Sequence, residues 1–234
     1  RDTGDPAWLS DWQRAARAVS QRIAEDLAAT DEITEPAVAG AVARLIPQGH
    51  LLAVASSMAV REVDSYGRAA GRPRMVVANR GVSGIDGTVA TMAGAALGAG
   101  RPATLLIGDL ALLHDINSLP LISRNRQPSV VVAINNNGGG IFEFLPVSAH
   151  PDIFEANFTA PHGYRFDQFA EAFGLRYRRP GGMKEFQRAY REAVDSRRNT
   201  LIEVRTDRRE NVHVHSQLRE AVVRAVHTAE EAGR

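Results

Sequence analysis

The chain has 234 residues, 44% of them apolar and 24% charged, with 28 basic side chains against 27 acidic ones. That is enough for one good-sized α/β domain, or one domain with an appendage, and a net charge of +1 gives no footing for nucleic acid or a membrane surface. The absence of cysteine excludes disulfides, thiolate metal sites and thiol nucleophiles.

No apolar run reaches the roughly 18 residues of a membrane span, and the opening RDTGDPAW is neither a signal nor a transit peptide. A cytoplasmic protein, seen in part, is the expectation. Lys184 is the sole lysine among the basic residues, so the surface is arginine-rich throughout.

Asp5-Pro6 reads as a helix start, a capping residue followed by proline at the first helical position. Trp8, Trp12, Ala15, Val19, Ile23 and Leu27 then form an amphipathic stripe. Residues 1–30 are expected to be a linker and helix that packs on a neighbouring domain, and residues 31–234 the main domain. Thr34 caps a second helix, with Glu35 and Pro36 in its first turn and Val38, Val42, Leu45 and Ile46 as its apolar face. Residues 51–55 make a buried strand that ends in Ser56-Ser57. Ser57 stands where it could cap the following helix, with Arg61 one turn on. A second strand, 75–78, delivers Asn79 and Arg80 to the same edge. The loop beyond it has glycines at 81, 84 and 87, the wrong spacing for a dinucleotide fingerprint. A small-residue helix over 88–98 follows.

Residues 103–145 organise the rest. An apolar run at 103–107 is short enough for a buried parallel strand and leads into Gly108-Asp109-Leu110. A helical pattern comes next (Leu112, Leu113, Ile116, Leu119), then a strand at 129–134 that runs into Asn135-Asn136-Asn137-Gly138-Gly139-Gly140. This β-α-β unit puts Asp109 and Asn136, 27 positions apart, at the carboxyl ends of two parallel strands, the edge where open α/β sheets hold ligands. A carboxylate, an amide oxygen and a backbone carbonyl in the glycine turn are hard donors suited to Mg²⁺ completed by phosphate oxygens and water. Glycines also allow close backbone approach to a diphosphate.

Segment 146–163 is less regular and carries scattered aromatics and histidines, a pattern more often functional or mobile than idle at this length. Phe166, Phe169, Ala170 and Phe173 form a helix ended by Gly174. Strands at 175–178 and 200–204 flank a helix of Met183, Phe186, Tyr190 and Val194, and Leu218, Val222, Val226 and Ala229 mark a final helix. Six strands alternating with helices predict an α/β fold: a doubly wound, mostly parallel six-stranded sheet with helices on both faces.

The motif GD followed by NN at this spacing resembles the diphosphate- and metal-binding signature of thiamine-diphosphate (ThDP) enzymes. The fuller wording, GDL…HDIN…NNNGGGIFEFLP with the upstream ANRG and SGIDG segments, is similar to one branch, the SEPHCHC synthases of menaquinone biosynthesis. The resemblance runs over about residues 31–204, that family's diphosphate-binding domain. Leu110 departs from the glycine of most ThDP enzymes but matches this branch, and Ala111 lacks the hydroxyl that could have added a diphosphate contact.

The resemblance implies ThDP and Mg²⁺ as cofactors, with Mn²⁺ an alternative. Asp109, Asn136 and Gly138 would hold the metal, and Ser83, Gly84, Ile85, Gly108, Asp109, Leu110, Asn136, Gly138, Gly139 and Ile141 the cofactor. It implies decarboxylation of 2-oxoglutarate and addition of the resulting carbanion to isochorismate. Arg61 and Arg80, with Ser57, would meet acidic substrates. Ile85 would wedge beneath the cofactor, where the residues alone also permit a core plug. Ile141, Phe142 and Leu145 are either core or the apolar wall of the site. In the family the glutamate that activates the aminopyrimidine comes from a facing subunit, which implies a homo-oligomer, at least a dimer.

His213 and His215, one residue apart, would share a face on a strand but are taken as structural or surface. His114 is expected to pack rather than act as a base. Two other readings stay open: another ThDP enzyme of acetolactate-synthase-like or 2-oxoacid decarboxylase type, and a non-catalytic Mg²⁺-diphosphate binding module.

Overall fold

The computed structural model describes residues 6–67, 73, 75–79 and 84–231. Asp5, the expected cap of the first helix, lies outside them. The elements run α1 (Pro6–Ala28), α2 (Glu35–Leu45), β1 (Leu51–Val54), α3 (Met58–Tyr66), β2 (Met75–Val77), α4 (Thr88–Ala99) and β3 (Ala103–Gly108). They continue with α5 (Asp109–His114), α6 (Leu119–Arg124), β4 (Ser129–Asn135), α7 (Pro151–Phe154) and α8 (Phe166–Ala172). The chain closes with β5 (Arg176–Arg178), α9 (Met183–Asp195), β6 (Thr200–Arg205) and α10 (Arg208–Glu231). Two compact units result, one of Arg1–Asp31 with Val212–Arg234 and the other of Glu32–Asn211.

In the larger unit the strands form one sheet in the order β2-β1-β3-β4-β6-β5, with every neighbouring pair parallel. Consecutive residues of a strand point to opposite faces. All seven residues of β4 are buried, so both faces are covered, as a parallel sheet requires. The helices fall into two packed groups, α2 with α3 and α9, and α4 with α5 and α6. After β2 the chain crosses back to lay β3 on the other side of β1. That reversal of strand order opens a crevice at the carboxyl ends of β1 and β3.

Local chemistry sets the helix ends. Thr34 has extended backbone angles and its hydroxyl accepts the Ala37 N–H at 3.3 Å, so it caps α2. The N-terminus of α4 is capped from a distance. The buried Asp115 carboxylate accepts the Val89 and Ala90 N–H groups at 2.6 and 3.0 Å. This cap locks α4 to the turn after α5. Gly100 at the other end takes a left-handed φ of 63°, the usual glycine helix stop.

Several expectations change. Gly108 and Asn135 belong to their strands, one residue further than the apolar runs indicate, because ladder hydrogen bonds do not need apolar side chains. Ser57 does not cap α3: its φ is 69° and its side chain makes no capping bond. The expectation that His213 and His215 are structural or surface residues stands: both lie on α10, with His213 exposed. His114 is exposed rather than packed. Segment 146–163 winds into short turns, Pro146–Ala149, α7 and Glu155–Thr159.

Asp115→Ala should cost about 1–3 kcal/mol of stability, because two N–H groups at the start of α4 lose their acceptor. Denaturant unfolding measures it, and a change within experimental error would show that the cap contributes nothing.

Candidate functional site

At the carboxyl ends of β1, β3 and β4 a cleft of about 180 Å³ opens, lined among others by Ser57, Ile85, Gly108, Asp109, Leu110, Asn136, Gly138, Gly139, Ile141 and Phe142. Most of the candidate residues are therefore together. Arg61 and Leu145 are not in this wall: both are exposed, and the Arg61 guanidinium donates to the Ser57 carbonyl at 2.6 Å. Gly84 lies just outside the wall, next to Ile85. Arg80 and Ser83 lie outside the described residues.

Ser57 sits in a backbone region that L residues rarely adopt, φ 69° and ψ −132°. Such strain is of order 1–3 kcal/mol and persists only where the surroundings hold it. Here it turns the chain sharply from β1 into α3, with Ser57 at the cleft. The neighbouring Ser56 hydroxyl donates to the Asn79 carbonyl at 3.1 Å and ties the ends of β1 and β2 together.

Asp109 opens α5 and is 2% exposed. Its Oδ1 accepts the Leu110 N–H at 2.7 Å and its Oδ2 accepts the Gly138 N–H at 3.0 Å. Burial raises its carboxyl above the usual range, while hydrogen bonds from His162, Gly138 and Leu110 act against that shift. The Tyr164 N–H donates to His162 Nδ1 at 2.9 Å, so Nε2 carries the proton of the neutral ring. It points at Asp109 Oδ2, 3.2 Å away. Tyr164 stacks on the same imidazole with ring centroids 5.6 Å apart.

Asn136 lines the same cleft as Asp109. Its Nδ2 donates to Glu35 Oε1 at 2.9 Å, and its Oδ1 is buried without a hydrogen-bond partner. An orphaned buried oxygen costs free energy unless something binds it. A carboxylate, this oxygen and the glycine-loop carbonyls are the hard donors that a Mg²⁺ ion takes. No group of three His, Cys, Asp or Glu side chains able to hold a metal occurs among the described residues. A cation here would leave most of its coordination to phosphate and water, as Mg²⁺ commonly does.

The three glycines have a second reason to be there. A Cβ at Gly138 would lie 2.0 Å from the Thr159 carbonyl oxygen, one at Gly139 would lie 2.6 Å from the Phe158 carbonyl oxygen, and one at Gly140 would lie 2.5 Å from Asn136 Nδ2. The chain's own 158–159 backbone closes over the loop, and Thr159 O accepts the Gly139 N–H at 2.6 Å. Arg208 pins this segment by pairing with Glu143 at 2.6 Å and with Glu155 at 2.6 Å.

Sequence reasoning missed three residues: Glu35, Glu62 and His162. Glu35 and Glu62 are 2% and 1% exposed, line the cleft and have carboxyls raised to about 8, chiefly by burial. The Glu62 charge pushes Glu35 up further. Glu35 also accepts the Thr206 hydroxyl at 2.8 Å. Its place in the first turn behind Thr34 looks like ordinary helix chemistry, and nothing local marks it. His162 lies in the segment that its length alone singled out.

The family profile described as "Thiamine pyrophosphate enzyme, C-terminal TPP binding domain" matches residues 58–204. A protein of Rubrobacter xylanophilus named 2-succinyl-5-enolpyruvyl-6-hydroxy-3-cyclohexene-1-carboxylate synthase is 53% identical over 218 residues, covering 93% of this chain and 38% of that protein. One of the same name from Salinibacter ruber is 45% identical over 219 residues, covering 94% of this chain and 36% of that protein. The chain thus spans well under half the length of these curated relatives. Among solved structures, a putative thiamin diphosphate-dependent enzyme from Mycobacterium smegmatis superposes with a TM-score of 0.60 at 20% identity, covering 75% of this chain and 32% of that one. Benzoylformate decarboxylase from Polynucleobacter necessarius gives 0.63 at 18%, covering 74% and 33%. At those identities the shared feature is the fold.

The buried glutamates set a pH dependence. Glu62 ordinarily titrates near 4.5 and is lifted to about 8 in the fold, so the folded state holds a proton that the unfolded state releases. Its stabilising contribution is complete below 4.5 and is lost as pH rises through the window towards 8. Denaturant midpoints of the unloaded protein should fall across that window, and Glu62→Gln should make the decline shallower. An unchanged slope in the variant would show that Glu62 does not retain its proton.

Proposed function

This chain belongs to the thiamine pyrophosphate enzymes, as their C-terminal TPP-binding domain, and from that premise we propose that it is the diphosphate-holding part of a SEPHCHC synthase. The reaction would take 2-oxoglutarate, release CO₂ and join the remaining four-carbon unit to isochorismate. The observation that carries the cofactor half of this reading is the unpartnered Asn136 Oδ1, set beside buried Asp109 in the cleft. The relatives' names support the choice of reaction.

In this reading Asp109, Asn136 Oδ1 and the Gly138 carbonyl hold Mg²⁺, or Mn²⁺ in its place. The loop at Gly108–Leu110 and the loop at Gly138–Ile141 would cradle the diphosphate, and the family resemblance assigns Ser83 and Gly84 to the cofactor as well. ThDP supplies the electron sink that lets a 2-oxoacid lose CO₂. The chain's own residues do the rest. Ile85 would sit beneath the cofactor, and Ile141 and Phe142, which line the cleft, would keep water from the reacting carbon, a task the exposed Leu145 does not share. Ser57, Arg61 and Arg80 recognise substrate carboxylates, a task for which the guanidinium fork is suited. The exposed Trp8 and Trp12, at 63% and 62%, suit a helix that packs on a neighbouring domain. A homo-oligomer, at least a dimer, would bring the activating glutamate to the cofactor.

Two measurements test this. Asp109→Ala should abolish Mg²⁺-dependent ThDP binding in calorimetry while the far-UV circular dichroism stays that of a folded protein, and wild-type affinity would remove the metal assignment. Arg80→Ala in the complete enzyme should lower kcat/KM for 2-oxoglutarate about 30- to 1000-fold, since losing one partner of a desolvated charge pair costs roughly 2–4 kcal/mol. ThDP affinity should stay within a few-fold of wild type. Full turnover with pyruvate and none with 2-oxoglutarate in the wild-type enzyme would favour an acetolactate-synthase-like reaction instead.

A further inference from the structure

The two ends of an asparagine amide are nearly equal in size and opposite in electrostatic sign. Only the oxygen can ligate a cation; the NH₂ end, turned the other way, would repel it. A carboxylate has no such wrong end, so Asp109 meets a cation with an oxygen whichever way it rotates. Asn136 needs a neighbour that chooses its orientation, and covalent geometry provides none.

From the contacts around Asn136, and resting on the metal reading above, we infer that Glu35 is a positioning residue: it holds the nitrogen of the Asn136 amide and thereby leaves the oxygen for the cation. Glu35 Oε1 accepts the Asn136 Nδ2 hydrogen at 2.9 Å, a contact between residues 101 positions apart. The same Oε1 accepts the Thr206 hydroxyl at 2.8 Å, so the acceptor is fixed in place by a second donor. Glu35 itself is 2% exposed, so bulk solvent has little access to compete with the amide for its oxygen. Gly140 completes the cradle: a Cβ there would come within 2.5 Å of Nδ2 and push the amide off its acceptor. With Nδ2 taken, Oδ1 is left buried and unpartnered in the cleft wall that Asp109 and Gly138 share.

Partners that orient a metal ligand typically change metal affinity about 10- to 100-fold when removed. The test uses calorimetric titration of ThDP into the full chain at a series of Mg²⁺ concentrations. Glu35→Met, unbranched and of similar length, removes the acceptor and should weaken Mg²⁺-dependent binding about 10- to 100-fold. Glu35→Gln, which can still offer an oxygen to Nδ2, should stay within about 3-fold of wild type. In an Asn136→Asp background both ends of the ligand are oxygens, so Glu35→Met should then cost less than about 3-fold.

A methionine variant that keeps wild-type Mg²⁺ dependence overturns the inference. So does an equal loss in the methionine and glutamine variants, or a loss that persists in the Asn136→Asp background, since either marks a packing effect. Wild-type protein that binds no ThDP with Mg²⁺ is a separate result, and it overturns the reading of the site itself. Should Glu35→Met fail to fold, a crystal structure of the wild-type protein with Mg²⁺ and ThDP decides: a Glu35 carboxyl outside hydrogen-bond distance of the Asn136 amide overturns the inference.

Discussion

Three acidic side chains, Glu35, Glu62 and Asp109, are taken out of water in the wall of one cleft, and the carboxyl edge of the sheet is built around that burden. Burial disfavours the charged form of each, and all three carboxyls are raised. A buried carboxyl is tolerated only where donors reach it, and apart from the adjacent Leu110 N–H on Asp109 the donors named here come from distant parts of the chain: Thr206 and Asn136 to Glu35, Asn211 to Glu62, His162 and Gly138 to Asp109. Removing water also strengthens every remaining electrostatic interaction in the cleft. A dication bound there would meet a site from which most competing solvent has already gone.

The glycine loop and the segment that covers it form one device. Loop 138–140 is narrow because backbone at 158–159 occupies the volume that side chains at Gly138 and Gly139 would take, and the Asn136 side chain does the same at Gly140. The cover is held at two points: Arg208 grips Glu143 and Glu155, and Phe158 packs edge-on to Phe142 with centroids 5.6 Å apart. Phe142 lines the cleft. The residues that shape the loop and those that wall the candidate site are therefore fastened to the same short helical turns.

Much of this architecture was legible in the sequence, for identifiable reasons. Strands buried on both faces write themselves as continuous apolar runs, so β1, β3, β4 and β6 stood out, and their carboxyl ends followed from the β-α-β logic. Asp109, Asn136 and Gly138 were legible as a group because their spacing is local to one such unit. Glu35, Glu62 and His162 were not, since each acquires its role through a contact that spans the fold. Glu35 meets Asn136 across 101 positions and Glu62 meets Asn211 across 149. Ser57 was misread for a related reason. A serine before a helix usually caps it, and only the backbone path out of β1 reveals that its φ forbids this.

The hydrogen bond between Thr206 and Glu35 joins residues 171 positions apart, and this has a consequence for how the molecule comes into being. A chain emerging from the ribosome makes Glu35 and Glu62 long before it makes Thr206 and Asn211. Until β6 adds to β4 and α10 begins, neither Thr206, just after β6, nor Asn211, on α10, is in place to donate to the two glutamates. The acidic wall of the cleft therefore depends on parts of the chain made last, the end of β6 and the start of α10. Contacts of such long sequence separation slow folding. They also tie this wall to the two ends of the chain at once, so a lesion near either end reaches the same cleft.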